Sequence, residues 1–225
     1  FTSAEALCRI YNEDGVIIPP GRFIEVAEQN GMILELGERV FEKVCQFIHS
    51  GACLESNLEY IEVNLSVIQC SYELLAQRFI HIMEQYEICP SYINLEITET
   101  GSVSTRKIMM DNMQRLLEYG VRFSLDDFGT GHSNLNYIVD MPVKIVKFDR
   151  SMTVSYFNNG KAKYVMDAAM HMIHGMELQI VSEGIETEEQ LKTMESLNIN
   201  YIQGFYFSKP LPEQEFLEFL RVHKV

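Results

Sequence analysis

The chain has 225 residues, 47% of them hydrophobic, enough to bury a sizeable core in one large α/β domain rather than two small ones. A formal net charge of -14 repels a polyanion over most of the surface and excludes a nucleic-acid-binding face, while a small anionic ligand held with local cations stays open. No apolar run reaches the roughly 18 residues of a membrane span, and residues 1–7 lack a secretory layout, so a soluble, cytoplasmic domain without membrane contact is expected.

Short apolar runs alternate with amphipathic stretches along the whole chain, the pattern of βα units around a parallel sheet. Seven strands are predicted, near residues 2–9, 60–65, 92–98, 121–126, 143–148, 178–183 and 200–206. Leu36, Val40, Val44, Phe47 and Ile48 form one helical stripe, and Leu75, Phe79, Ile82, Met83 and Tyr86 a second. Met109, Met113, Leu116 and Leu117 repeat the spacing, with Gly120 placed to end that helix in the left-handed region. Met166, Met170 and Met176 also read as core or subunit interface, and His171 and His174 as surface or packing residues. Thr187 to Gln190 has capping-box spacing ahead of Leu191, Met194 and Leu197. The cysteines Cys8, Cys45, Cys53, Cys70 and Cys89 form no C-x-x-C pair, which points to reduced thiols rather than a zinc or redox motif. The chain starts inside a predicted strand without methionine, so residues 1–225 read as one domain at the C-terminal end of a longer protein.

The informative feature is where polar residues fall. Nearly every predicted strand ends in one: Glu5, Asn64, Glu96, Asp126 with Asp127, Lys147, Glu183 and Gln203. In a TIM-like barrel such ends meet on one face. Carboxylates gathered in one cleft repel one another, and cations relieve that repulsion. With oxygen donors and no Cys or His among them, Mg²⁺ or Mn²⁺ is favoured over zinc. Two such ions suit phosphodiester hydrolysis. Taken singly, Asn64 also reads as a turn residue, Lys147 as a structural ion-pair partner and Gln203 as a loop residue.

Ordered blocks then carry a resemblance: EALCR at 5–9, VNLS at 63–66, LEITET at 95–100, DDFGTGHSNL at 126–135, VKFDRSM at 146–152, VSEGIET at 181–187 and QGFYFSKPL at 203–211. Together they resemble the EAL domain family of cyclic di-GMP phosphodiesterases over essentially the whole chain. The resemblance implies a TIM-barrel-like (β/α)8 fold in α/β class, lacking here the family's first, antiparallel strand ahead of Phe1. It implies two Mg²⁺ or Mn²⁺ ions per site, with Glu5, Asn64, Glu96, Asp126 and Asp127 as metal ligands. Lys147, Glu183 and Gln203 take the catalytic positions, and Arg9 and Asp149 the substrate-binding ones, Arg9 contacting phosphate and Asp149 standing at a polar position near the metals. The segment from Asp127 to Tyr137 resembles a loop linking metal binding to dimerisation, anchored by Glu99. A homodimer and an upstream sensor or diguanylate cyclase-like domain are the partners expected. Departures such as Ile10, His132, Asn134, Phe148 and Ser182 remove no charged position.

Three functions follow. The first is hydrolysis of cyclic di-GMP to linear pGpG, and the second a catalytically inactive cyclic di-GMP receptor. The third, a carbohydrate-active barrel with paired carboxylates, needs no metal and is disfavoured by the adjacent Asp126 and Asp127.

Overall fold

A computed structural model describes residues 1–98, 106–130 and 135–223. Its strands are β1 (Ser3–Ala6), β2 (Ile10–Tyr11), β3 (Ile17–Ile18), β4 (Tyr60–Asn64), β5 (Ile93–Thr98), β6 (Arg122–Phe128), β7 (Ile145–Phe148), β8 (Gln179–Ser182) and β9 (Tyr201–Ile202). The helices are α1 (Pro20–Asn30), α2 (Ile33–His49), α3 (Ala52–Ser56), α4 (Val67–Cys70), α5 (Leu75–Gln85), α6 (Arg106–Tyr119), α7 (Leu135–Asp140), α8 (Arg150–Asn158), α9 (Gly160–Gly175), α10 (Glu188–Ser196) and α11 (Glu213–Val222). The seven predicted strands therefore exist, most of them shorter than the apolar runs. The small antiparallel hairpin β2–β3 was not anticipated, because two-residue strands leave no periodic signal.

Two compact units divide the chain, with the boundary running through β5 between Leu95 and Glu96. In the first unit the strands are hydrogen-bonded in the order β1-β4-β5, and β1 runs parallel to β4. The helices α1 to α6 belong to this unit, as does the end of α11. Phe41 of α2 stacks on Phe79 of α5 with ring centroids 3.9 Å apart, and both rings are buried. The buried face of α2 is Ile33, Phe41, Val44, Cys45 and Ile48, so the predicted stripe is rotated by about one residue; Leu36 and Val40 are only half-buried. The α5 and α6 stripes hold, with Leu75, Phe79, Met83, Met109, Met113 and Leu116 buried. Asn112 lies buried beside them. Its amide donates to the carbonyls of Cys70 and Tyr72 and accepts from the Ala76 N–H, fastening the chain between α4 and α5. Gly120 ends α6 with φ 114°, as its position predicts.

In the second unit the order is β5-β6-β7-β8-β9, with β6 to β9 parallel. Parallel neighbours require crossover connections, here α7, then α8 with α9, then α10. Their starts are written in short polar residues: Asp149 caps α8, Asn159 caps α9, and Thr187 with Gln190 forms the expected capping box of α10. Met166 and Met170 are buried, whereas His171 and His174 are exposed. Among the described residues no helix is long and apolar enough to cross a membrane.

All five thiols are free. Burial raises the pKa of Cys45 to about 12, with the nearby Glu42 charge adding to it, and raises Cys53 to about 11 and Cys70 to about 12. Burial also raises Cys8, against the opposing charge of Arg9. Cys89 is exposed, and its hydrogen bond with Ser91 lowers its pKa. Under native conditions near neutral pH, a thiol-specific reagent is therefore expected to label Cys89 first and Cys8 more slowly. Cys45, Cys53 and Cys70 should react only after unfolding; peptide mapping of the labelled protein checks the order.

Candidate active site

In the first unit the parallel register sets Glu5 of β1 directly beside Glu62 of β4. Side chains two residues apart share a strand face, so Ser3, Glu5, Glu62 and Asn64 lie on one side of this strand pair. The Asn64 amide donates to Glu5 Oε1 at 2.7 Å, which joins two of the predicted metal ligands. The Ser3 hydroxyl donates to Glu62 Oε1 at 3.0 Å. Arg9 follows β1, half-buried, with Nη1 donating to the Cys8 carbonyl at 2.9 Å.

The centre of the second unit is an ion-pair relay. Lys147 Nζ lies 2.6 Å from Glu96 Oε1 and 2.9 Å from Glu183 Oε1. Lys147 and Glu96 are both 1% exposed. The strand register produces this geometry. Lys147 pairs with Val181 on β8, and the Glu183 N–H donates to the Phe148 carbonyl just past the end of that ladder. Glu183 thereby stands two residues beyond the partner of Lys147 and on the same face. Behind it Ser182 faces the opposite way, where its hydroxyl meets that of Thr153 at 3.1 Å in a buried contact, so the serine departure is satisfied by α8.

Asp126 and Asp127 owe their placement to a bulge. Leu125 pairs with Val146 and Phe128 with Phe148, so the two aspartates together oppose Lys147 alone. Such an extra residue bends the strand and re-aims its side chains. Asp127 takes φ 56°, a left-handed conformation rare outside glycine, and its N–H donates to Asp126 Oδ1 at 2.8 Å. Gln203 continues the pattern past β9: its N–H donates to the Ser182 carbonyl, and its own carbonyl accepts from Ile185. Gly204 is required next to it, because a Cβ there would overlap the backbone of Ile185. Asp149, assigned a polar position near the metals by resemblance, is placed as the cap of α8, accepting from the Ser151 N–H at 2.8 Å. Glu99 and residues 131–134 of the loop lie outside the described residues.

Sequence reading at the strand ends overlooked a deeper polar row. Glu62, Asn94 and Ser124 are buried two residues before Asn64, Glu96 and Asp126, respectively. The signal was present as alternation, Glu62-x-Asn64, Asn94-x-Glu96-x-Thr98 and Ser124-x-Asp126, which marks one polar face continuing down each strand.

Among the described residues no three His, Cys, Asp or Glu side chains are grouped closely enough to hold a metal ion. The donor chemistry nevertheless fits a hard divalent ion. The second unit carries Glu96 and Glu183 on one lysine, with Asp126 and Asp127 opposite that lysine in strand register, an excess of negative charge that cations relieve, and all donors are oxygen.

Residues 1–210 match the family model described as EAL domain. The chain belongs to the EAL domain family. Signaling protein YkoW of Bacillus subtilis is 32% identical over 97% of this chain and 27% of that relative. Cyclic di-GMP phosphodiesterase NbdA of Pseudomonas aeruginosa is 31% identical over 98% of this chain and 28% of its own length. This EAL domain thus spans less than a third of these relatives. The solved PaMucR phosphodiesterase in complex with c-di-GMP superposes with a TM-score of 0.86, at 30% identity, over 94% of this chain and 86% of that one. The fold of this EAL domain is accordingly the TIM-barrel-like α/β class expected from its sequence.

The buried relay makes a direct prediction for stability. Lys147→Ala removes the cation nearest two carboxylates, one of them fully buried, and is expected to cost about 3–5 kcal/mol in denaturant unfolding. Glu183→Gln should cost clearly less, because that side chain keeps 20% of its surface in water.

Proposed function

We propose that this EAL domain hydrolyses cyclic di-GMP to linear pGpG. The observation that carries the reading is Lys147, held in the interior between Glu96 and Glu183 with its ammonium fixed in place. A preorganised cation next to a partly exposed carboxylate is suited to water and phosphate chemistry. Water adds to one phosphorus and the bond from that phosphorus to a ribose 3′ oxygen breaks, leaving a 5′-phosphate and a free 3′-hydroxyl. In this reading Lys147 orients the attacking water, Glu183 accepts its proton, and Gln203 orients the same group. Arg9 presents a planar guanidinium to phosphate oxygens.

By resemblance, Glu5, Asn64, Glu96, Asp126 and Asp127 are the ligands of two Mg²⁺ or Mn²⁺ ions, which when bound neutralise the carboxylates and polarise the attacked phosphate. The paired contact of Glu5 with Asn64 and the bulge that presents Asp126 with Asp127 support that assignment. Further domains and a homodimer belong to the same proposal. The relatives are several times longer than this chain, and Val139, Tyr164 and Val165 leave apolar surface exposed.

Chromatographic conversion of cyclic di-GMP by the full-length protein tests the reading. With Mg²⁺ or Mn²⁺, pGpG should accumulate, and chelator or Glu5→Ala should lower the rate by at least about a hundredfold. Folded protein that binds cyclic di-GMP yet yields no product would instead establish the receptor.

A further inference from the structure

We infer that Glu62 is a positioning residue that holds the Glu5 carboxylate forward against Asn64. The inference rests on the hydrolase reading for its functional consequence, and on strand geometry for its mechanism. Glu62 is buried at 4% exposure, in the middle of β4, where a carboxylate is costly unless it does something there. Its register partner across the parallel pair is Glu5 itself. Two carboxylates facing each other on neighbouring strands repel, so each must be drawn away from the other.

The hydrogen bonds achieve this in opposite directions. Ser3 is registered with Tyr60 but bonds to Glu62, and Glu5 is registered with Glu62 but is bonded by Asn64. Each contact is diagonal by two residues in the same sense. Ser3 pulls the Glu62 carboxylate back toward the strand starts, while Asn64 draws the Glu5 carboxylate on toward the strand ends. Glu62 therefore occupies the space, and takes up the Ser3 hydroxyl, that Glu5 would need in order to turn back. β1 is only four residues long, so few backbone bonds exist to fix this orientation without help from side chains.

The variants Glu62→Ala and Glu62→Gln separate these effects. With alanine, Glu5 gains a path back to Ser3, and kcat for cyclic di-GMP is expected to fall about tenfold or more with KM little changed. Glutamine keeps the shape and the acceptor for Ser3, and should restore kcat to within about threefold of the parent. A second readout does not need activity. In protein labelled with ¹⁵N-asparagine, the Asn64 side-chain amide should lose its hydrogen-bonded shift in Glu62→Ala and retain it in Glu62→Gln. Should Glu62→Ala fail to fold, Glu62→Val carries the same test, since a strand-compatible side chain there also removes the carboxylate from between Glu5 and the Ser3 hydroxyl. An unchanged Asn64 amide signal in the alanine variant, or unchanged kcat, overturns the inference. A parent protein without hydrolysis, but with the Asn64 signal shifted as expected, overturns only the hydrolase reading.

Discussion

One buried ammonium organises the second half of this protein. Lys147 sits in the middle of a parallel sheet, where a lone charge is strongly unfavourable, and it is tolerated because Glu96 of β5 and Glu183, just past β8, both reach it. That requirement fixes much else. The ladder between β7 and β8 must end where Glu183 can turn in, and β6 must bulge so that two aspartates, not one, stand opposite the lysine. Gly204 must be bare so that the chain after β9 can lie against Ile185 and keep Gln203 beside Ser182. In the proposed hydrolysis, stability and chemistry therefore draw on the same residues.

The first half solves a smaller version of the same problem. Glu5 and Glu62 are neighbours of like charge on a short parallel pair, and Ser3 and Asn64 hold them apart. In both halves the strand face alternates, with apolar side chains packing against helices and polar ones forming a continuous row. The helices contribute few chemical groups. They supply packing, such as the Phe41 and Phe79 stack, and capping residues that set where each helix begins.

Much of this was legible in the sequence, because strand ends carrying Glu5, Asn64, Glu96, Lys147 and Glu183 break an otherwise apolar pattern. The α10 capping box and the left-handed Gly120 were also readable, since local chemistry decides them. What escaped was non-local. The rotation of the α2 stripe depends on Phe79 accepting Phe41, which no period within α2 encodes. The bulge at Asp126 and Asp127 is a matter of register with β7, invisible in β6 alone. Asp149 caps α8 through Oδ1, a role that an aspartate placed just before a helix also signals in the sequence. Glu62 lies two positions inside its strand end, where its sequence context alone does not show that Glu5 is its register partner.

The central claim is that these polar strand ends direct water onto a phosphodiester. Conversion of cyclic di-GMP in H₂¹⁸O, followed by mass spectrometry of the product, tests it most directly. The account predicts pGpG carrying one ¹⁸O, located in its 5′-phosphate. Intact cyclic di-GMP after prolonged incubation with folded, ligand-binding protein, or a product whose 5′-phosphate holds no label, would contradict it.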